Sequence, residues 1–434
     1  MKKIALLVSA AMLLTTAAFA DDGGKASLQW SLWGRSIWAP VVSNPNGALT
    51  SALGTSWGTS TRNTLFVKGD AGNIGFDLTL GYDNGSLASS WNDGPVDVWA
   101  KPFDGLKIAM GYIEDYTLRG EADYGDWDWI RTFGTGDDAI FQGIGTVRGG
   151  AAGPISSEVS YTYGPLYIYY QQPFFDNSLA NSTPFTAWYD TKGTQGVFQN
   201  ASYGLGYTIP GVGQIRVQNV GYLTSSSWNG YNNPGYNFGV FQAAFRLTGV
   251  QNLYADIGLW IPTTLDSTQT ASKNAGYDWE VPLFATYTMG KLKLSLNADF
   301  QSTNQYWYQY AAAVQGANLS ASTTASEMGV LVGLGVDYAL GGGLNLTGDV
   351  KWANTFAKDN TTAYQNETSA MIGVYKGLAS GDIGIGFEWI NGGVFHGPAN
   401  GNSSAFTQGN GPTGTSNGTA ANNFAIPVRI DYWF

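Results

Sequence analysis

The sequence predicts an all-β protein, a transmembrane antiparallel up-and-down β-barrel of about 18 strands, with 16 strands as the alternative count. Three observations carry this prediction. Hydrophobic residues alternate with small or polar residues at a period of two, which is typical of a sheet with two different faces. Short turns alternate with long polar loops. Finally, 44% of the residues are hydrophobic, yet no apolar run beyond the N-terminus is long enough for a membrane-spanning helix.

The alternation is clearest in residues 327–353. Val332 and Leu334 lie on one face of the first strand, whereas Gly333 and Asp337 lie on the other, and the glycines 341–343 provide a turn. An aliphatic face suits lipid, and a face of small or polar side chains suits water. The pattern therefore predicts a barrel wall that encloses a wet lumen.

The same unit of strand, short turn and strand can be read eight times. Two single strands, 26–39 and 423–434, remain at the ends and bring the total to 18, an even number as in single-chain bacterial barrels. The eight short turns, which would face the periplasm, lie near residues 69–73, 102–105, 164–165, 210–213, 248–249, 289–290, 341–343 and 380–381. The nine long loops are residues 40–61, 83–94, 113–154, 173–197, 224–235, 261–276, 302–326, 354–366 and 391–420.

Residues 1–20 have the layout of a cleaved signal peptide. Two lysines precede an apolar run, and small residues end it at Ala18-Phe19-Ala20. We therefore expect one barrel domain over residues 21–434. Removing the two lysines changes the net charge from −11 to −13, and a chain this acidic lacks the basic footprint that a nucleic-acid partner requires.

Catalytic and cofactor chemistry find little support in the composition. The chain has no cysteine, which excludes disulfides and thiolate metal sites. Its one histidine, His396, lies in a glycine-rich stretch typical of a solvated loop. Because barrel hydrolases need a positioned imidazole, we expect neither an enzyme nor a cofactor.

The last strand carries a family resemblance. Residues 424–434 alternate, place Ile430 and Tyr432 on one face, and end in Phe434. This strand resembles the C-terminal assembly signal of outer-membrane barrels, with Tyr432 and Phe434 as its key residues. The whole layout resembles bacterial porins, and its strand count is closer to the eighteen-stranded substrate-selective porins. The resemblance implies a location in outer-membrane lipid, recognition by the barrel-assembly machinery, and a homotrimer as one oligomeric state. Pro427, which lacks the N–H that the ladder needs, predicts a local irregularity.

The third long loop, 113–154, is a candidate constriction, because the third loop of porins commonly folds into the barrel. It carries eight acidic residues against three basic ones, a balance that would favour cations at a narrow neck. The solvated outer loop remains the alternative. The candidate residues are Glu114, Asp115, Arg119, Glu121, Asp123, Asp126, Asp128, Arg131, Asp137 and Asp138. Asp123, Asp126 and Asp128 offer hard oxygen ligands for a structural Ca²⁺, although they do not match an EF-hand loop.

The phase of the strands predicts which charged residues face the lumen. They are Lys68, Asp77, Asp97, Lys101, Lys107, Glu158, Arg246, Asp256, Lys291, Lys293, Asp299, Asp349, Lys351, Glu388, Arg429 and Asp431. The same phase places aromatic side chains in the lumen, namely Trp99, Tyr167, Tyr169, Tyr254 and Trp433. Both signs of charge occur, so the wall residues either pair across strands or act on a passing solute.

The predicted function is therefore passive diffusion of small hydrophilic solutes, with a weak preference for cations or a selectivity for sugars. Two other functions are compatible with a barrel. A surface adhesin would act through its Asn-, Ser- and Gly-rich loops, and planar-bilayer conductance would distinguish it. A hydrophobic-substrate transporter of the fatty-acid type would need an N-terminal hatch, for which few residues precede the first strand.

Overall fold

The computed structural model describes residues 26–43, 49–54, 62–82, 95–115, 147–148, 156–173, 201–220, 239–263, 277–303, 327–354, 367–392 and 421–434. These segments consist of β-strands and the short turns between them. Within them no helix is long and apolar enough to cross a membrane. The predicted signal peptide, residues 1–20, lies outside the described residues.

The described segments contain 21 strands. The first eleven are β1 (Ser27–Ser43), β2 (Leu49–Gly54), β3 (Arg62–Asp70), β4 (Ile74–Tyr82), β5 (Val96–Phe103), β6 (Leu106–Tyr112), β7 (Glu114–Asp115), β8 (Val147–Arg148), β9 (Ser156–Tyr163), β10 (Leu166–Pro173) and β11 (Ser202–Ile209). The other ten are β12 (Gly213–Val220), β13 (Gly239–Leu247), β14 (Leu253–Thr263), β15 (Tyr277–Met289), β16 (Leu292–Thr303), β17 (Glu327–Gly341), β18 (Leu344–Asn354), β19 (Glu367–Leu378), β20 (Gly381–Gly392) and β21 (Ala421–Trp433).

Eighteen of these strands form a closed antiparallel barrel, which confirms the predicted fold class and strand count. Successive strands pair from β3 to β6, β6 pairs with β9, and the series continues to β21. β1 closes the ring because it pairs with β3 along one edge and with β21 along the other. The remaining large-sheet strand, β2, pairs with the second half of β1, and β7 and β8 form a separate two-stranded ribbon.

The eight short turns lie where the sequence predicts them. Each connects two neighbouring strands of the barrel. All eight turns lie at the same rim of the barrel as the C-terminus. Several require a backbone with positive φ, as at Gly72, Gly105 and Gly164, which glycine adopts without strain. The glycines that mark these turns in the sequence are therefore there for a conformational reason.

The N-terminal hairpin differs from the prediction. β1 continues to Ser43 rather than ending at residue 39, and residues 49–54, predicted as part of a loop, form β2. The predicted end of the strand coincides with Pro40, a residue that cannot donate a backbone hydrogen bond to a ladder. The structure accommodates Pro40 with a shift of register between Ala39 and Val42.

The predicted irregularity at Pro427 is confirmed. The ladder between β20 and β21 lacks pairs between Ile385–Val428 and Glu388–Ala425. On the other side of β21, the register with β1 shifts between Trp38 and Val41. A proline at this position interrupts pairing locally, and the strand continues on both sides of it.

The closing seam is held by more than backbone pairing. Phe434 and Leu32 exchange two backbone hydrogen bonds, of 2.8 and 3.0 Å. The ring of Tyr432 lies across Gly34 of β1, in the space that a Cβ would occupy, and its hydroxyl donates to Asn63 of β3. One side chain of the last strand therefore contacts the first two strands of the barrel.

Replacing Gly34 by valine should weaken this seam, because the new side chain would overlap the Tyr432 ring. Overpacking of this kind costs about 1 to 3 kcal/mol. The loss would be measured as a lower urea midpoint for unfolding of the barrel in detergent micelles.

The double variant Gly34→Val/Tyr432→Ala is the control, since removing the ring frees the space. We expect it to lose less stability than the sum of the two single variants. Strict additivity would show that the ring and Gly34 do not interact.

Candidate functional site

The inner face of the barrel carries buried polar and charged side chains, while the outer face carries exposed aliphatic and aromatic ones. Strand phase places both sets, since successive side chains point to opposite faces. Most of the predicted wall residues lie on the inner face, namely Lys68, Asp77, Asp97, Lys101, Lys107, Glu158, Arg246, Asp256, Lys293, Asp349, Arg429 and Asp431. Lys291 lies in the turn between β15 and β16. Asp299, Lys351 and Glu388 belong to β16, β18 and β20, and their side chains lie outside the described part of the chain.

A group of arginine, aspartate and tyrosine side chains joins β12, β13 and β14. The Asp256 carboxylate forms ion pairs with Arg216 Nη2 at 3.0 Å and with Arg246 Nε at 3.1 Å. It also accepts a hydrogen bond of 2.8 Å from the Tyr254 hydroxyl. The Arg246 guanidinium also lies 5.4 Å from the centre of the Tyr254 ring. Two guanidinium groups thus share the Asp256 carboxylate, which joins the inner faces of three neighbouring strands.

A row of amide side chains continues from this group toward β10. The Tyr169 hydroxyl donates to Gln218 Oε1 at 3.3 Å, and Gln218 Nε2 donates to Gln242 Oε1. Gln242 lies opposite Trp260 in the register of β13 and β14. The row therefore links the inner faces of β10, β12 and β13 through neutral hydrogen bonds, and it runs beside the Trp260 ring.

Sequence reasoning missed two central members of this wall, Arg216 and Gln218. Both are nearly completely buried on the inner face. Their signal was present, because Gln214, Arg216 and Gln218 alternate with Ile215 and Val217 along β12. Asp382 was also missed, although it belongs to a similar alternating pattern on β20. It pairs with Arg429 Nη2 at 3.0 Å.

A second inner cluster surrounds Trp99 on β5. The ring lies over Gly75 of β4, in the space that a Cβ would fill. The ammonium groups of Lys101 and Lys107 lie 4.6 and 6.0 Å from its centre, distances at which a cation and an aromatic face attract. Trp99 therefore lies on the inner face, as predicted, and its ring packs between Gly75 and the two ammonium groups.

The segment that follows β6 turns toward the inner face. Ile113 is buried in a cluster with Trp99 and Ala109, both of which face the lumen. Gln171 Nε2, on the inner face of β10, donates to the Ile113 carbonyl at 3.5 Å and to Ser156 Oγ at 2.9 Å. The ribbon of β7 and β8 begins directly after this anchor.

Of the predicted constriction loop, only residues 113–115 and 147–148 belong to the described residues. Glu114 pairs with Arg148 and Asp115 with Val147, so these two short segments form the antiparallel ribbon of β7 and β8. The other candidates lie outside the described residues, namely Arg119, Glu121, Asp123, Asp126, Asp128, Arg131, Asp137 and Asp138. The same holds for the three aspartates considered as Ca²⁺ ligands. Within the segments that the structure describes, no group of three or more His, Cys, Asp or Glu side chains is arranged to hold a metal ion.

Three solved structures illustrate what the chain is similar to. No protein-family model and no curated protein matches it. It matches a porin refined at 1.8 Å resolution with 14% identity, 94% of this chain and 100% of that one covered, and a TM-score of 0.45. It matches the anion-selective porin from Comamonas acidovorans with 13% identity, coverages of 94% and 100%, and a TM-score of 0.44. In fold, the chain resembles porins.

A third match is OccK11 (OpdR) of Pseudomonas aeruginosa, with 10% identity, coverages of 94% and 96%, and a TM-score of 0.48. Identities and TM-scores this low describe a likeness of fold and carry nothing about solute or selectivity. The properties of this wall follow from its own side chains.

Asp256→Asn should destabilise the barrel strongly, because it leaves two guanidinium groups without their shared carboxylate. Breaking a buried ion pair by removing one partner costs about 3 to 5 kcal/mol. The free energy of unfolding in detergent, from urea titration, measures the loss.

Asp77→Asn is the matched control. Asp77 lies 3.5 Å from Lys68, whose side chain is 64% exposed, whereas the Arg216 side chain is 1% exposed. An exposed pair contributes about 0 to 1 kcal/mol. Equal losses from the two variants would contradict the assignment of Asp256 as the centre of a desolvated group.

Proposed function

We propose that the protein is an outer-membrane porin that lets small hydrophilic solutes diffuse passively. The observation that carries the proposal is the division of the closed wall into an inner face of buried polar and charged side chains and an outer face of exposed apolar ones. Barrels of 16 to 18 strands leave an aqueous interior, whereas barrels of about eight strands are filled by their own side chains. Diffusion needs no chemistry, and the wall has only to keep the path hydrated.

Export and assembly complete the proposal. The signal peptide of residues 1–20 would direct the chain out of the cytoplasm, and the barrel-assembly machinery would read the last strand through Tyr432 and Phe434. We propose a homotrimer in outer-membrane lipid as the working state. The seam formed by Tyr432, Gly34 and Asn63 supports a closure that depends on the last residues of the chain.

The neck of the channel would be the loop 113–154. The contacts of Ile113 with Trp99 and Ala109 support an inward course, since a loop that left toward the outside would not begin on the inner face. The loop's eight acids and three bases give it a net charge of −5. Acidic side chains at a narrow, low-dielectric neck would attract cations.

Selectivity would then rest more on the loop than on the wall. Charges of the described wall pair with one another in Lys68–Asp77, Arg246–Asp256 and Arg429–Asp382, and each of these pairs joins opposite signs. A weak cation preference follows if the acidic loop narrows the path. Selectivity for sugars is the second form of the proposal, supported by the amide row and the rings of Tyr167 and Tyr169, whose centres lie 6.1 Å apart.

The first test measures selectivity with the double variant Asp126→Asn/Asp128→Asn. In planar bilayers with a salt gradient, the wild type should give stepwise conductance and a reversal potential on the cation-selective side. Neutralising two acids in the neck should move the reversal potential toward zero. If the potential does not move, these acids lie away from the neck, and a wild type without stepwise conductance would favour the adhesin.

A second test concerns the anchor of the loop. Ile113→Ala removes apolar contacts with Trp99 and Ala109, so the ribbon of β7 and β8 should be held less tightly against the wall. The single-channel conductance should therefore rise and fluctuate more. Ile168→Ala, on the outer face of β10, is the control and should leave conductance unchanged. Identical conductance of the two variants would contradict an inward anchor.

A further inference from the structure

The charge of the described wall changes along the axis of the barrel. We call the turn belt the eight short turns together with all strand residues within four residues of the strand end at that rim. With a rise of about 3.3 Å per residue and a strand tilt near 40°, four residues span about 10 Å of height. The turn belt therefore forms the periplasmic mouth of the barrel.

Basic residues predominate in the turn belt. It carries nine basic and seven acidic residues, and the bases remain in excess when the C-terminal carboxylate of Phe434 is counted. This balance contrasts with the formal net charge of the whole chain, which is −11. The basic residues on the inner face of the belt include Lys68, Lys101, Lys107, Arg216, Arg246 and Lys293.

The sign of the charge reverses beyond the belt. The other described residues include four basic and eleven acidic ones. Asp97, Glu158 and Asp349 belong to this part of the wall and lie on its inner face, with exposed fractions of 6%, 2% and 4%. The described wall is therefore basic at the periplasmic mouth and acidic from there toward the opposite rim.

Both zones act on the path of an ion through the lumen. The ammonium groups of Lys101 and Lys107 lie on the inner face beside the Trp99 ring, and the Lys68 side chain is 64% exposed. Exposed cations at a mouth concentrate anions there. The buried acids farther along the wall are screened less by salt than exposed charges, and they concentrate cations beside them.

We infer that the channel rectifies, so that it passes more current when its extracellular rim is positive than when its periplasmic rim is positive. This inference rests on the proposed function, because it requires an open lumen filled with water. It deepens that proposal by adding a preferred direction of flow. The favoured polarity moves cations toward the periplasm and anions away from it.

The physical reason is that two zones of opposite charge hold different mobile ions. When the extracellular rim is positive, cations leave the acidic zone and anions leave the turn belt, so both enter the middle of the lumen and raise its conductance. The opposite polarity draws both ions out of the middle. They are replaced from zones in which they are scarce, and the conductance falls.

A pair of lysine variants tests the role of the turn belt. Lys101→Gln/Lys107→Gln removes two cations from the inner face. Lys376→Gln is the control, because Lys376 is an exposed residue of the same belt that pairs with Leu344 on the outer face and donates to the Gly342 carbonyl. Heat-modifiability on gels verifies that both variants are folded. Single-channel currents are then recorded in planar bilayers at equal positive and negative voltages.

The orientation of each inserted channel is determined with Thr248→Cys, an exposed position in the turn between β13 and β14. The chain has no cysteine of its own, so biotin can be attached at this residue alone. Streptavidin is too large to enter the lumen. It should therefore alter the current only when it is added on the side that carries the turns.

For the wild type, we expect the ratio of the currents at the two polarities to be about 2 in 0.1 M salt, where the Debye length is about 10 Å. The ratio should approach 1 in 1 M salt, where the Debye length is about 3 Å. Lys101→Gln/Lys107→Gln should lower the ratio in 0.1 M salt, whereas Lys376→Gln should leave it unchanged.

Equal currents at the two polarities in 0.1 M salt, a larger current at the opposite polarity, or equal effects of the two variants would overturn the inference. A channel that conducts symmetrically refutes rectification and leaves the proposed diffusion channel intact. A folded wild type without stepwise conductance refutes the channel itself, and the inference fails with it.

Discussion

The hydrogen-bonded ring of strands is the constraint on which the rest of this structure depends. Inside a bilayer no water is present to satisfy a free backbone N–H or C=O, so a sheet can cross it only when its two edges pair. Here β1 meets β21 along one edge and β3 along the other. The division of the wall into a polar inner face and an apolar outer face follows once that ring is complete.

The seam between β1 and β21 shows how side chains stabilise the closure between the first and last strands of the chain. The two ends of the chain must find each other across the whole sequence, and loop closure of that length is entropically costly. Contacts that exist only after closure offset this cost. The ring of Tyr432 fits over Gly34 and reaches Asn63, so the geometry is specific as well as favourable.

Alternation alone was enough to predict the barrel, its 18 strands and the positions of its short turns, because period two and glycine-rich turns are local properties. It placed Asp256 and Arg246 on the inner face for the same reason. It did not reveal that Arg216 joins them, since three strands must lie side by side before the group exists. β2 was predicted as part of the long loop 40–61, and only its register with β1 shows that this segment pairs.

The ion-pair group and the amide row have a mechanical consequence for the wall that contains them. Side-chain links from Tyr169 through Gln218 to Gln242, and from Arg216 through Asp256 to Arg246, run crosswise to the strands. These links resist sliding of one strand past the next, so they brace this part of the wall from its inner face.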